Sequence, residues 1–219
     1  TNEAEFVVER WQEDHFAAIG TTAAGVVTYT DTGLAPETVY RYRVKARNAG
    51  GESAYSNEAA GTTLPAPPAA PSGLAAAAEG PGAVRLTWTD NAVNETAFEI
   101  ERRVDGADFA LLVSVGADTT SYLDTGLFPA TTYTYRVRAV NAGGASSYTN
   151  SVSATTLVTP PPAPTGLTAI ILSDTSIRLS WTDTSGGTAQ FRVLREAPGG
   201  AAAVIGTVPV NTTEYVDST

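Results

Sequence analysis

One stretch of this chain is written twice, and that duplication constrains the fold more than any other feature. Leu34 to Asn57 and Leu127 to Asn150 lie 93 positions apart and share the text Leu-x-Pro-x-Thr-x-Tyr, then Tyr-Arg-Val-x-Ala-x-Asn-Ala-Gly-Gly, then x-Ser-x-Tyr-x-Asn. Self-similarity at a fixed period outranks length as a guide to domain number. In the second copy Tyr133, Tyr135, Val137 and Ala139 alternate with Thr134, Arg136, Arg138 and Val140. A period of two over eight residues describes a strand with one apolar and one wetter face. Asn-Ala-Gly-Gly then supplies residues that tolerate a tight turn, so a hairpin follows.

The repeat extends in both directions. Glu5 to Arg10 corresponds to Ala97 to Arg102, with Phe6 and Val8, or Phe98 and Ile100, facing inward. Tyr29-Thr-Asp-Thr-Gly-Leu34 matches Tyr122-Leu-Asp-Thr-Gly-Leu127. Val84-Arg-Leu-Thr-Trp88-Thr-Asp90 matches Ile177-Arg-Leu-Ser-Trp181-Thr-Asp183, strands that each carry an inward Trp. Residues 65–71 (Pro-Ala-Pro-Pro-Ala-Ala-Pro) and 160–164 (Pro-Pro-Pro-Ala-Pro) cannot join a ladder and favour extended, semi-rigid polyproline II. The expected division is therefore a partial domain at 1–64, a linker at 65–70, a complete domain at 71–157, a linker at 158–163 and a second partial domain at 164–219. Short strands at even spacing with frequent turns make the class all-β, a sandwich of seven strands in the complete copy.

Together the early-strand Trp, the Leu-x-Pro-x-Thr-x-Tyr corner and Tyr-x-Val-x-Ala-x-Asn-x-x-Gly resemble the fibronectin type III domain, and the resemblance covers the whole chain. It implies immunoglobulin-like sandwiches of strands A-B-E against C′-C-F-G. It places Trp88 and Trp181 in the cores, with Leu34, Leu127, Pro36 and Pro129 around them. Tyr40 and Tyr133 would form tyrosine corners, each phenol bonded to the E–F turn. The wording Thr-Asp-Asn-x-x-Asn-Glu-Thr-x-Phe-x-Ile-Glu-Arg is similar to units of secreted bacterial proteins. On this frame the first copy starts at strand C and the third stops after strand E. Either the chain is a window on a longer array, or neighbouring subunits complete the open sandwiches.

Composition narrows the partners. The formal net charge is −10, which disfavours nucleic acid and anionic membrane surfaces. Cysteine is absent, so neither a disulfide framework nor a thiolate metal site is available. No apolar run reaches the length of a bilayer span.

Candidate chemistry is sparse. Glu99 and Glu101 read as a solvated outer face, not as carboxyls converging on a cleft. His15, the single histidine, sits with Glu13 and Asp14 in a turn and lacks a second ligand in a metal motif. Asp90, Asn91 and Asn94 have a loose calcium-loop composition without EF-hand spacing, and turn chemistry accounts for them equally well. No catalytic, cofactor-binding or metal residue is assigned. The Ala-Gly-Gly turns at 49–51 and 142–144 lack Arg-Gly-Asp, so integrin binding is not inferred. Asn94-Glu-Thr and Asn211-Thr-Thr fit the glycosylation pattern. Trp11 is the candidate surface contact, because its strand phase turns it outward.

The expectation is a non-enzymatic spacer array of an extracellular or cell-surface bacterial protein, without cofactor. Its partners would be domains of the same array, copies of itself, or a cell-surface protein or glycan. The alternatives are a filament building block and an accessory module of a secreted polysaccharide-degrading enzyme.

Overall fold

The computed structural model describes residues 2–218, which form strands and turns with no helix among them. They fall into two compact units divided between Leu157 and Val158. The first carries β1 (Glu5–Gln12), β2 (His15–Ala23), β3 (Val39–Asn48), β4 (Gly51–Glu52) and β5 (Ala59–Thr62). It continues with β6 (Ser72–Gly80), β7 (Ala83–Thr89), β8 (Ala97–Val104), β9 (Ala110–Gly116), β10 (Ser121–Thr125), β11 (Thr132–Asn141), β12 (Gly144–Ala145) and β13 (Val152–Thr155). The second carries β14 (Thr165–Ser173), β15 (Ser176–Thr182), β16 (Phe191–Arg195), β17 (Ala203–Val208) and β18 (Glu214–Asp217).

The middle copy is a closed two-sheet sandwich. One antiparallel sheet runs β10-β7-β6, and the other β12-β11-β8-β9, with β13 also on β11. Alternation does the sorting. In β7, Val84, Leu86 and Trp88 are buried while Arg85 and Thr87 are exposed; in β11, Tyr133, Tyr135, Val137 and Ala139 are buried. These faces meet Phe98, Ile100 and Leu127 in one cluster, where Trp88 tilts against Phe98 at 5.8 Å between ring centres.

The last strand of the sandwich is broken between β12 and β13, and side chains bridge the gap. Ser146 and Thr149 hydroxyls accept hydrogen bonds from the β11 amides of Ala139 and Val137, at 3.0 and 3.1 Å. Ser53 and Ser56 do the same for Ala46 and Val44 in the first copy, which explains the repeated x-Ser-x-Tyr text.

The first copy forms a β2-β1-β3 sheet with β4 and β5 on β3. No second sheet covers it among the described residues. Residues 28–34 match the β10 region by sequence yet form no strand, which corrects the expectation of strands C to G in 1–64: C, C′, F and G form and E does not. β10 is held by hydrogen bonds to β7, and among the described residues no strand stands beside 28–34 as β7 stands beside β10. The uncovered face, with Phe6, Val8, Leu34, Tyr42 and Val44, lines a groove of about 680 Å³.

In the second unit β14-β15-β18 form one sheet and β16-β17 a hairpin. Trp181 packs on Phe191 at 5.4 Å but stays half-buried, and β14 is exposed along its length.

Burial in a closed core and burial on an open face differ in consequence. Phe98→Ala should lower the unfolding free energy of the middle domain by ~3–5 kcal/mol. Phe6→Ala, at the matching position on the uncovered sheet, should cost less than half of that. Denaturant titration of the two variants measures the difference.

Candidate functional site

Three constellations organise the polar residues of the middle domain. The first is interior. Asp124 of β10 is 2% exposed and accepts from Arg102 of β8, at 2.9 and 2.8 Å, and from the Tyr135 hydroxyl of β11, at 2.8 Å. Burial pushes the Tyr135 phenol well above the ordinary tyrosine range, and its bond to Asp124 adds to this, so the phenol stays neutral and donates. The arrangement recurs as Arg10, Asp31 and Tyr42 in the first copy, with Arg10 and Tyr42 donating to Asp31 at 2.8 and 2.9 Å. Arg195 and Asp217 pair at 3.0 Å in the last.

The second constellation covers the outer face of the larger sheet. Arg136 lies 4.2 Å over the Phe109 ring and 3.9 Å over Tyr148, and Arg138 lies 4.7 Å over Tyr148. Their guanidinium groups donate to Glu101 and Glu99 at 2.7 and 2.8 Å, and the Tyr148 hydroxyl donates to Glu101. The first copy repeats this with Phe16, Arg43, Tyr55, Lys45 and Glu9. The reading of Glu99 and Glu101 as a solvated face is thus corrected: both are tied into a half-buried lattice, because flanking arginines and a tyrosine fold over them. Burial raises the Glu101 carboxyl, but hydrogen bonds from Tyr148 and Arg136, with the charges of Arg136 and Arg138, outweigh it and hold the group below its ordinary 4.5.

The third is the seat of the first proline linker. Asn94 and Asn141 both donate their side-chain amides to the Ala66 carbonyl, at 3.0 and 2.8 Å, and Asn91 donates to Ala70 at 2.9 Å. Pro68 and Pro71 are buried. Gly143 is required: a Cβ there would overlap the Pro65 carbonyl. The Asn-Ala-Gly-Gly turn therefore clamps backbone.

The residues singled out from sequence are distributed as follows. Trp88, Tyr133 and Leu127 are buried, at 5, 3 and 8% exposure. The Tyr133 hydroxyl accepts from the Phe128 amide at 3.0 Å and that of Tyr40 from the Ala35 amide at 2.9 Å, so both corners form. Tyr40, Leu34 and Trp181 are half-buried, since the sheets that would cover them are absent from their surroundings among the described residues. Pro36 and Pro129 are exposed, not core: their carbonyls accept from the Thr38 and Thr131 hydroxyls and shape the turn. Trp11 is 37% exposed, pairs across the hairpin with Phe16 edge-on at 5.0 Å, and lies under Arg41 at 5.3 Å. His15 is exposed, 2.9 Å from Asp14. The interior Arg-Asp-Tyr lock escaped the sequence reading, although the Glu-Arg and Asp-Thr-Gly-Leu text, each present in the first two copies, carries it.

A closed sandwich of three strands on four, tied by a tyrosine corner, defines an immunoglobulin-like domain. Residues 69–155 match the fibronectin type III domain model. The chain belongs to that family as a tandem of fibronectin type III domains, modules that are themselves non-catalytic. Exoglucanase B of Cellulomonas fimi is 34% identical over 202 residues, covering 81% of this chain and 18% of that protein. Endoglucanase B of the same organism is 36% identical over 142 residues, 60% of this chain and 13% of that one. Chitinase A1 of Niallia circulans is 34% identical over 151 residues, 64% and 20%. The chain thus spans at most a fifth of these relatives. Among solved structures, the FN1–FN3 domains of chicken CNTN1 align over 99% of this chain and 79% of theirs, at a TM-score of 0.40 and 16% identity.

Because the Glu101 carboxyl is lowered in the folded state, the unfolded state takes up more protons as pH falls. Its stabilising contribution is complete above about pH 4.5 and is lost as pH drops through the lowered folded value. Glu101→Gln should therefore be less stable than the parent at neutral pH and converge with it in strong acid. Urea midpoints across the acid range measure this. Tyr135→Phe, which removes a donor from buried Asp124, should cost ~1.5–3 kcal/mol at neutral pH in the same titrations.

Proposed function

We propose that this chain is a non-catalytic spacer segment of an extracellular bacterial protein acting on polysaccharide, in which fibronectin type III domains hold other modules at a set distance. The observation that carries the reading is the clamped linker. Asn94, Asn141 and Gly143 fix residues 65–67 to the pole of the middle domain, so the junction there is built in and not a free tether. The rest of the polar surface supports the same role. The arginines, tyrosines and glutamates of the outer face are committed to one another, so Glu99 and Glu101 do not converge on a cleft. The matches to proteins named exoglucanase, endoglucanase and chitinase, each covered over a minor fraction, fit a repeated accessory segment of a larger enzyme.

A second reading has one observation in its favour. The groove on the first sheet is lined by Phe6, Val8, Val26 and Val44, an apolar surface that a neighbouring copy in a filament could cover. Sedimentation separates the two: concentration-dependent polymers favour the filament, and a 22.6 kDa species favours the spacer.

The spacer reading makes a paired prediction. The parent chain should resist proteolysis within residues 62–71, and Gly143→Ala should open that segment to cleavage without unfolding the middle domain. The chain should also pass unretained over insoluble cellulose and chitin. Retention that disappears on Trp11→Ala would replace the spacer with a glycan-binding module.

A further inference from the structure

The chain neutralises its other deeply placed carboxylates with cations. Asp124 has Arg102, Glu101 has Arg136, and Glu9 has Arg43 and Lys45. Glu95 is the exception. It is 9% exposed, one of its oxygens accepts only from the Asp118 amide at 3.2 Å, and the other, fully buried, has no hydrogen-bond partner. No ion pair among the described residues involves it. A buried carboxylate oxygen without a donor carries a desolvation cost that folded proteins offset with a proton, a cation or a hydrogen bond.

Two more carboxylates lie close to that of Glu95. Oxygen atoms of Asp90, Glu95 and Asp118 lie within 4.8 Å of one another. One point therefore lies within about 2.8 Å of all three, near the ~2.3–2.6 Å of calcium–oxygen bonds. Asp90 precedes the loop that leads into β8, and its other commitment is to the Ala92 amide at 2.9 Å. Asp118 sits in the loop between β9 and β10 at a φ of 59°.

The last copy is an internal control. By the 93-residue register its counterparts are Asp183, Thr188 and Asn211. Only the first is acidic, and Ser185 and Gly187 donors saturate it. Asn211 takes up the same left-handed turn as Asp118, with a φ of 62°. The loop therefore closes without three acids, and turn geometry does not explain their presence in the middle domain.

We propose that Asp90, Glu95 and Asp118 form a calcium site at the pole of the middle domain, pinning the loop before β8 to the loop before β10. Three carboxylates, all oxygen donors, suit a hard divalent cation. Ligands on two separate loops and an edge open at Asp118 suit the larger calcium over magnesium, which demands closer octahedral contacts. The site adjoins the linker seat: Asn94, next to Glu95, holds Ala66.

The test uses the whole 219-residue chain. Its melting temperature is measured at fixed ionic strength with about 1 mM calcium chloride, the range of extracellular calcium modules, with magnesium chloride, and with EDTA. Calorimetric titration gives the stoichiometry. Calcium should raise the middle-domain transition by about 4 °C or more, magnesium should not, and Asp118→Asn should abolish the shift and the titrated site. Asn211 shows that this substitution leaves the turn intact. Identical melts in calcium and EDTA would overturn the site, as would a shift that survives in Asp118→Asn. If Glu95→Gln melts above the parent and neither protein responds to calcium, the proposal is wrong.

Discussion

The buried carboxylate of Asp124 is the interaction on which the sandwich depends. It belongs to β10, on the smaller sheet, while its partners Arg102 and Tyr135 belong to β8 and β11, on the larger. Apolar packing between sheets is non-directional. A charge 2% exposed is not, because it is tolerable only where its donors reach it. The lock therefore selects one juxtaposition of the sheets from the many that would bury Trp88, Phe98 and Tyr135 comparably. Removing one partner leaves the others buried and unsatisfied, which costs more than the pair contributes in isolation.

The three copies act as a dissection of that architecture. The first has the larger sheet and its Arg10–Asp31–Tyr42 lock, but residues 28–34 do not become a strand without a backbone to pair with. The last has the smaller sheet and the Arg195–Asp217 pair, and there Trp181 stays half-buried. Local pattern is equal in all three. What differs is the opposing layer, which converts an amphipathic strand into a buried one.

Much of the fold was legible in the sequence because a period of two and a 93-residue repeat need no tertiary information. The tyrosine corners were equally legible, since Leu-x-Pro-x-Thr-x-Tyr specifies a local hydrogen bond from the Phe128 or Ala35 amide. The outer face was not. Glu99 and Glu101 read as solvated because their partners Arg136, Arg138 and Tyr148 are 35 to 47 positions away in sequence. Pro36 and Pro129, conspicuous in the motif, serve the turn and not the core, a distinction that burial alone makes.

By itself the sequence determined the all-β class, the repeat, the inward faces and the corners, all consequences of spacing along one strand or turn. Tertiary structure alone decided which carboxylates are neutralised and which are left to find a cation. It likewise decided that Asn94 and Asn141 hold a linker, and that Trp11 lies against Phe16 and Arg41. The reason is that charge compensation and linker docking depend on distances between residues far apart in the chain, which only the packed sheets fix.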